Sequence, residues 1–452
     1  MKRKPSLLVI FLSVFIDLVG FGIVLPMLPG FAEDDFRPDF SAKGLIIGAI
    51  IASFSAMQFF FAPAWGRLSD RIGRRPVMLI SNLGAAGSYC LFAVASGMGG
   101  TAGLVWLLVS RIFAGICGAN ISVASAYIAD ITPPEKRSAR MGLIGMAFGL
   151  GFIFGPAIGG FCMSGFGYSF GLAHIFGNWI GGIDNFCLHG FGPTGPGWVA
   201  AGFCLANFVL GWFILGESRA PNSAPYVPRP KFSQWSRTLS RPKLGGLVFI
   251  FFLATFCFTC FEATFPLLAK HQFGYGLHGK DNHIPYLFTY CGVITALLQG
   301  GIGRLVKRLG EPNLIFISLV IFAIGLSALP FQTTLPGLLV VLALLAIGSG
   351  LNRPPVFGLI SLKSPADEQG ASLGVAQSFG SLARILGPMF ATTLFFMNEQ
   401  LPRFLSERTA MQLPYLICGG VALVTAVFAW QHLCLDGSPA VTSAPGGPAE
   451  KR

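Results

Sequence analysis

Runs of about twenty apolar residues recur along the whole chain, and they leave few folds open to it. "PSLLVIFLSVFIDLVGFGIVLPMLP" (5–29), "GLIIGAIIASFSAMQFFFAPAW" (44–65) and "LIFISLVIFAIGLSALPF" (314–331) are three of them. As a helix rising about 1.5 Å per residue, each matches a hydrocarbon core about 30 Å thick. Charged residues are 11% of the 452, against about 25% in soluble globular domains. Too little charge is present to solvate a soluble surface. The expected class is an all-α polytopic membrane protein.

Twelve spans are predicted, at 6–28, 44–64, 75–97, 103–129, 141–163, 197–216, 244–268, 284–303, 312–331, 336–358, 372–396 and 410–432. With the N-terminus inside, roughly 22 of the 31 Lys and Arg fall at cytoplasmic ends, about 6 outside and about 3 within the bilayer. The reverse orientation inverts that bias, so the positive-inside rule selects this one. The net charge of +12 therefore reports topology, and no nucleic-acid partner is expected. The expected location is the plasma membrane, as in a bacterial inner membrane, with many passes and both termini cytoplasmic. "MKRK" starts like a secretory signal, but the apolar stretch behind it is too long and lacks a small-x-small cleavage site, so it reads as the first span. The ten cysteines lie mostly in spans and read as small core residues; "CFTC" (257–260) is a CxxC in spelling only.

The spans fall into two sets of six. Residues 1–215 form an N-terminal bundle with an outer-loop insertion at 164–196 that is rich in Gly and aromatics. Residues 216–243, "GESRAPNSAPYVPRPKFSQWSRTLSRPK", form a cytoplasmic linker. A C-terminal bundle follows at 244–433, then a tail at 434–452 expected to be disordered. An ungapped shift lays Gly118, Asn120, Pro133, Ala139, Gly142, Gly155 and Pro156 on Gly350, Asn352, Pro365, Ala371, Gly374, Gly387 and Pro388. "GRLSDRIG" (66–73) is likewise echoed by "GRLVKRLG" (303–310). Six helices separate each feature from its copy, so the copies share an orientation. Such a parallel duplication is a plan of secondary transporters that rock two halves around a central site.

Charges inside the bilayer are the most informative letters, since each costs about 2.5–3.5 kcal/mol at a helix centre. Asp17 lies in the first span, Arg111 in the fourth, Glu262 in the seventh and Arg384 in the eleventh, and all four are expected to face a central cavity. A carboxylate in a cavity that faces two sides in turn can take a proton from one and release it to the other. Arginine stays charged, so its part is to hold an anion or tune the carboxylate. The bland alternative is a static ion pair joining helices. Asn120, Asn352 and Gln377 are candidate polar substrate contacts. In "GMAFGLGFIFGPAIGG" (145–160), Gly151, Gly155 and Gly159 line one helix face that allows close approach, while Pro156 adds a bend. Pure packing and a seam sealing one side of the cavity both fit this stretch, which ends at Gly160.

His271, His278 and His283 with Asp281, and His174, Asp184 and His189, lack zinc-like spacing, so no metal site is expected. No Walker loop is present, nor a hydrolase triad that sequence can identify. No enzyme activity or cofactor is expected, and a proton gradient is the expected energy source.

"GRLSDRIGRR" (66–75) resembles the signature between helices 2 and 3 of the major facilitator superfamily. "SRIFAGICGANIS" (110–122) resembles its helix-4 motif and "GLGFIFGPAIGG" (149–160) the helix-5 motif of its antiporters. "DLVGFGIVLPMLP" (17–29) and "SLARILGP" (381–388) resemble the tetracycline-efflux-type branch of the twelve-helix drug:proton antiporters. The resemblance implies that Asp70 braces a helix of the other half in the outward-facing state. It further implies that Arg71, Arg74 and Arg75 join a charge network with Asp130, while Gly66 and Gly73 permit a tight turn. Lys307 stands where Asp70 would be in the second copy, so the brace is one-sided. Tetracycline pumps of this type carry an aspartate in helix 3; Ser88 stands there, which argues against a metal–tetracycline substrate and leaves proton coupling to Asp17 and Glu262.

The function expected is a monomeric proton-coupled antiporter, surrounded by lipid, that exports small amphipathic or aromatic compounds. The competing expectations are an importer or facilitator of a metabolite, siderophore or lipid on the same fold, and a non-transporting receptor or assembly partner that binds through 164–196.

Overall fold

In hydrocarbon each backbone polar group must find its partner within the protein, which favours helices. A computed structural model describes residues 5–34, 43–118, 121–132, 134–169, 192–218, 231–275, 283–364, 369–400 and 406–435, and all its regular structure is helical. Twelve long helices carry the fold: α1 (Leu7–Val24), α2 (Lys43–Ile72), α3 (Arg74–Met98), α4 (Gly100–Cys117, continued by Ile121–Asp130), α5 (Pro134–Ser169), α6 (Gly195–Ile214), α7 (Pro242–Phe273), α8 (Ile284–Leu309), α9 (Glu311–Ala328), α10 (Leu335–Lys363), α11 (Gln369–Phe395) and α12 (Glu407–Ala429). A short linker helix, Lys231–Ser240, precedes α7. Ten spans are long and apolar enough to cross a membrane. The two long helices that fall short are α5, apolar over Gly149–Met163, and α11, whose wall of Gln377, Ser378, Ser381 and Arg384 faces a cavity. The insertion core at 170–191 and the tail at 436–452 lie outside the described residues.

The duplication is visible in the packing. In the first half α1 packs on α5 and α6, α3 on α4 and α6, and α2 on α4. In the second half α7 packs on α11 and α12, α9 on α10 and α12, and α8 on α10. Two seams, α2 with α11 and α5 with α8, join the halves, and the duplication exchanges one for the other. Small residues and side-chain bonds hold each half. Asn207 Nδ2 donates to Ser13 O at 2.8 Å, tying α6 to α1. Gly151, Gly155 and Gly159 put α5 directly on Leu18, Gly22 and Ile23 of α1.

The stretch 66–76, read as an interhelical loop, is mostly helix. α2 runs on through Gly66, Asp70 and Arg71 to Ile72, and α3 starts at Arg74. Gly73 alone makes the turn, at φ 104°, a region open to glycine. Gly66 sits inside α2, where an added Cβ would meet nothing within 4 Å, so it makes no turn. Gly310, at φ 77°, repeats the Gly73 device between α8 and α9. The repeated sequence therefore encodes a one-residue break between two helices.

The two ends of the molecule differ. At the end away from the linker, Thr392 Oγ1 of α11 donates to Gly44 O of α2 at 2.6 Å. A Cβ on Gly48 would lie 2.7 Å from Met389 Cα, and one on Gly160 would lie 2.9 Å from Pro285 Cβ of α8. Toward the linker, a Cβ on Gly300, Gly358 or Gly374 would meet nothing within 4 Å. Among the described residues the halves thus pack closely at the far end, while these linker-end glycines line open space.

Candidate functional site

Between the halves lies a cavity of about 1970 Å³, reaching Ile144, Ser361 and Leu373 at the linker end. Its wall is mostly aromatic and aliphatic, with Phe21, Phe54 and Tyr89 from the first half and Phe258, Phe261 and Phe357 from the second. Of the intramembrane charges predicted to face it, Asp17, Glu262 and Arg384 do, as do Asn352 and Gln377. Asn120 lies outside the described residues.

Arg111 departs from the expectation and stands behind the wall. It is 1% exposed, with its Cζ 5.6 Å from the Tyr89 ring centroid and 5.2 Å from that of Phe92. The two ring faces supply cation–π attraction, while Nε and Nη2 have no hydrogen-bond partner among the described residues. Tyr89 lines the cavity and is within electrostatic reach of both Arg111 and Asp17. Arg111 thus stands one ring behind the cavity wall, over Tyr89.

On the opposite wall Glu262 of α7 and Arg384 of α11 lie within electrostatic reach of each other, and the buried Glu262 Oε1 has no hydrogen-bond partner among the described residues. Arg384 Nη2 donates to Ser381 Oγ at 3.1 Å. Asn352 Nδ2 donates to Ser318 Oγ at 3.2 Å, so its amide serves the α9–α10 packing as well as the wall. Pro354 and Pro355 inside α10 remove two backbone donors and free the carbonyls of Gly350 and Leu351 beside the cavity. In α4, the carbonyls just before residues 119–120, which lie outside the described residues, are satisfied from neighbouring helices. Trp65 Nε1 donates to Ile116 O at 2.5 Å, Ser81 Oγ to Cys117 O, and Gln58 Nε2 to Gly118 O at 2.9 Å. Carbonyls without an intrahelical partner need such donors away from water.

Two contributors escaped the sequence reading. Arg353, beside the prolines of α10, lines the cavity with its Cζ 5.6 Å from the Phe357 ring centroid. Trp235 of the linker helix also lines it, with ring centroids 6.5 Å from Phe59 of α2 and 5.3 Å from Phe379 of α11. A charge in the tenth span was a legible signal for Arg353; a lone Trp in a polar linker was not one for Trp235.

The family model of the Major Facilitator Superfamily matches residues 10–388 and 277–450. The chain belongs to the major facilitator superfamily. Tetracycline resistance protein, class C, from Escherichia coli is 31% identical over 425 residues, covering 92% of this chain and 96% of that protein. The solved structure of the human organic anion transporter MFSD10 covers 94% of this chain and 100% of its own, at 23% identity and a TM-score of 0.65. A bacterial homologue of the human lysosomal transporter Spinster, inward-facing and unoccupied, covers 96% of this chain and 98% of its own, at 14% identity and a TM-score of 0.71. The chain is a multi-pass membrane transporter, not an enzyme, with tetracycline-resistance homologues.

The superfamily signature at the α2–α3 junction builds an ion network within the first half. Arg74 Nη1 lies 2.6 Å from Asp70 Oδ1, and its Nε lies 3.1 Å from Asp130 Oδ2. Ser218 Oγ donates to Asp130 Oδ2 at 3.0 Å. Arg75 Nη2 donates to Trp212 O at 2.8 Å, while Arg71 is exposed at the end of α2. Glu217, which the sequence reading passed over, accepts the Arg74 and Arg75 N–H groups at 2.9 and 3.1 Å. A carboxylate on the first-turn donors of α3 is favoured by the helix dipole. Residues 365–368, before α11, lie outside the described residues. The helix-5 motif divides its work: Gly151, Gly155 and Gly159 bind α1 within the half, and Gly160 meets α8 at the far-end seam beyond Pro156.

Among the described histidines, His271 Nδ1 lies 3.6 Å from Glu407 Oε1, and the His283 ring centroid lies 4.8 Å from that of Tyr275. No group of three metal-ligating side chains occurs among the described residues. His174, Asp184, His189, His278 and Asp281 lie outside them. The eight cysteines whose side chains are described are free thiols, Cys257 and Cys260 among them.

Proposed function

We propose that this chain is a proton-coupled antiporter that exports small amphipathic, aromatic compounds by alternating access. One observation carries the reading: an aromatic cavity between the halves, with Asp17 on one wall and Glu262 on the other, closely packed at the far end and open toward the linker among the described residues. The Lys and Arg bias makes the linker end cytoplasmic. The molecule then offers its cavity to cytoplasmic substrate while its carboxylates can release protons to the same side. Rocking about the α2–α11 and α5–α8 seams would present the loaded cavity outside, where the carboxylates take up protons again. Tetracycline-resistance relatives support efflux as the direction. Ser88, whose Oγ donates to Ala85 O at 2.7 Å, gives the cavity no carboxylate at that wall position, which fits a substrate other than a metal chelate. The working unit is a monomer in a plasma membrane, driven by protons without a bound cofactor.

The test uses inside-out vesicles with an acidified lumen. Adding fluorescein, tetracycline or rhodamine 123 is expected to release lumenal protons for at least one compound, with uptake of that compound. Uptake that ignores the pH gradient would favour a facilitator. Uptake of protons and compound in the same direction would favour an importer.

The Asp70–Arg74–Asp130 network reads as a latch that sets the balance between linker-open and far-open states. Partly exposed pairs contribute roughly 0.2–1 kcal/mol, so Asp70→Asn is expected to slow transport a few-fold and shift the state populations. Unchanged transport with unchanged populations would remove the latch from the account.

A further inference from the structure

The linker helix is built onto the second half of the molecule. Arg241 alone, in extended backbone, separates its last residue from α7. The helix packs on α7 and α11, and a Cβ on Gly245 of α7 would collide with the Leu239 carbonyl of the linker helix. From this base Trp235 reaches the first half. Its ring centroid lies 5.3 Å from that of Phe379 on α11 and 6.5 Å from that of Phe59 on α2. The Phe59 contact is edge-on, a favoured geometry for aromatic pairs. Phe379 is held edge-on in turn by Phe252 of α7, at 6.2 Å. At the far end α2 and α11 meet directly, where Thr392 Oγ1 donates to Gly44 O. Further toward the linker an indole from a third element bridges a ring of each, with Trp235 and Phe59 both lining the cavity.

Rocking of two halves as rigid bodies divides these contacts into two kinds. Trp235, Phe379 and Phe252 travel together on the second half, so their contacts persist in both states. Trp235 and Phe59 belong to different halves, so their contact changes when the linker end closes. A contact made in one state shifts the balance toward that state, whereas one made equally in both shifts nothing. We propose that Trp235 is a positioning residue for transport: by holding Phe59 it stabilises the linker-open state. The linker helix then sets the balance of access as well as joining the halves. This rests on the alternating-access part of the functional reading, and not on proton coupling or on the direction of transport.

Purified full-length protein in nanodiscs provides the test. Ketone-bearing residues in place of Leu68 on α2 and Leu362 on α10, both exposed, carry spin labels and leave the native cysteines untouched. The distance distribution between them, read without added compound, separates linker-open from far-open molecules. Trp235→Ala is expected to raise the ratio of far-open to linker-open molecules about threefold, as loss of one aromatic pair predicts. Phe59→Ala should give a similar shift, and the double variant no more than either alone, because both remove one contact. Trp235→Phe keeps a ring and should recover part of the wild-type ratio. Trp198→Ala removes an exposed indole on α6 and should leave the ratio as in the wild type. Unchanged populations in Trp235→Ala, a shift toward linker-open, an equal shift in Trp198→Ala, or additive shifts in the double variant would each overturn the brace. The expected shifts without proton-linked flux would keep the brace and defeat the antiport reading instead.

Discussion

Asp17→Asn is expected to abolish accumulation driven by a pH gradient, by at least about tenfold, equivalent to ~1.4 kcal/mol on the limiting step. Exchange of labelled for unlabelled substrate down its own gradient should persist. The argument is positional. Asp17 is the one carboxylate on the first-half wall among the described cavity residues. It lines the cavity together with Tyr89 and lies within its electrostatic reach, and Tyr89 in turn contacts buried Arg111. An amide keeps the shape and loses the titration, so coupling fails while the binding space survives. Asp17→Glu should restore part of the pH response. Reconstituted liposomes measure both modes on the same preparation. Full pH-driven accumulation by Asp17→Asn would place coupling elsewhere, Glu262 being the next candidate.

A second large effect is expected at Gly155, in stability. A Cβ there would lie 2.6 Å from Gly22 Cα and 2.9 Å from Ile23 N. Both neighbours are backbone, so no side chain can turn aside. Gly155→Leu must push α5 off α1, and overpacking a tight core costs about 1–3 kcal/mol, the upper end applying where backbone has to move. Thermal unfolding in detergent should show a clearly lowered midpoint. Gly202→Leu on α6, whose Cβ would meet nothing within 4 Å, serves as the control and should unfold near the wild type. Equal midpoints for the two variants would contradict the close seam.

The architecture was legible where chemistry repeats. Gly73 and Gly310 ended two similar strings, and both prove to be positive-φ breaks. The shared apolar runs and ungapped G-P pairs foretold two like halves, and the packing pairs within the halves repeat accordingly. Side-chain facing was less legible. In helices apolar on every side, periodicity does not distinguish lipid, neighbour and cavity. Arg111 therefore read as a cavity charge although Tyr89 and Phe92 enclose it. The polar letters at 66–72 looked like a loop because composition registers the membrane boundary, whereas α2 continues past that boundary. Trp235 and Glu217 were invisible for another reason: each matters only through a partner more than a hundred residues away, Phe379 for one and the Arg74 backbone for the other.

Alternating access about the two seams is the central claim, and paired distance measurements test it directly. Spin labels at Leu68 of α2 and Leu362 of α10, both exposed, report on the linker end. Labels at Leu45 of α2 and Phe390 of α11, also exposed, report on the far end. In reconstituted protein, a change of pH together with a transported compound is expected to shorten the first distance and lengthen the second. Sustained transport with both distance distributions unchanged would contradict the account.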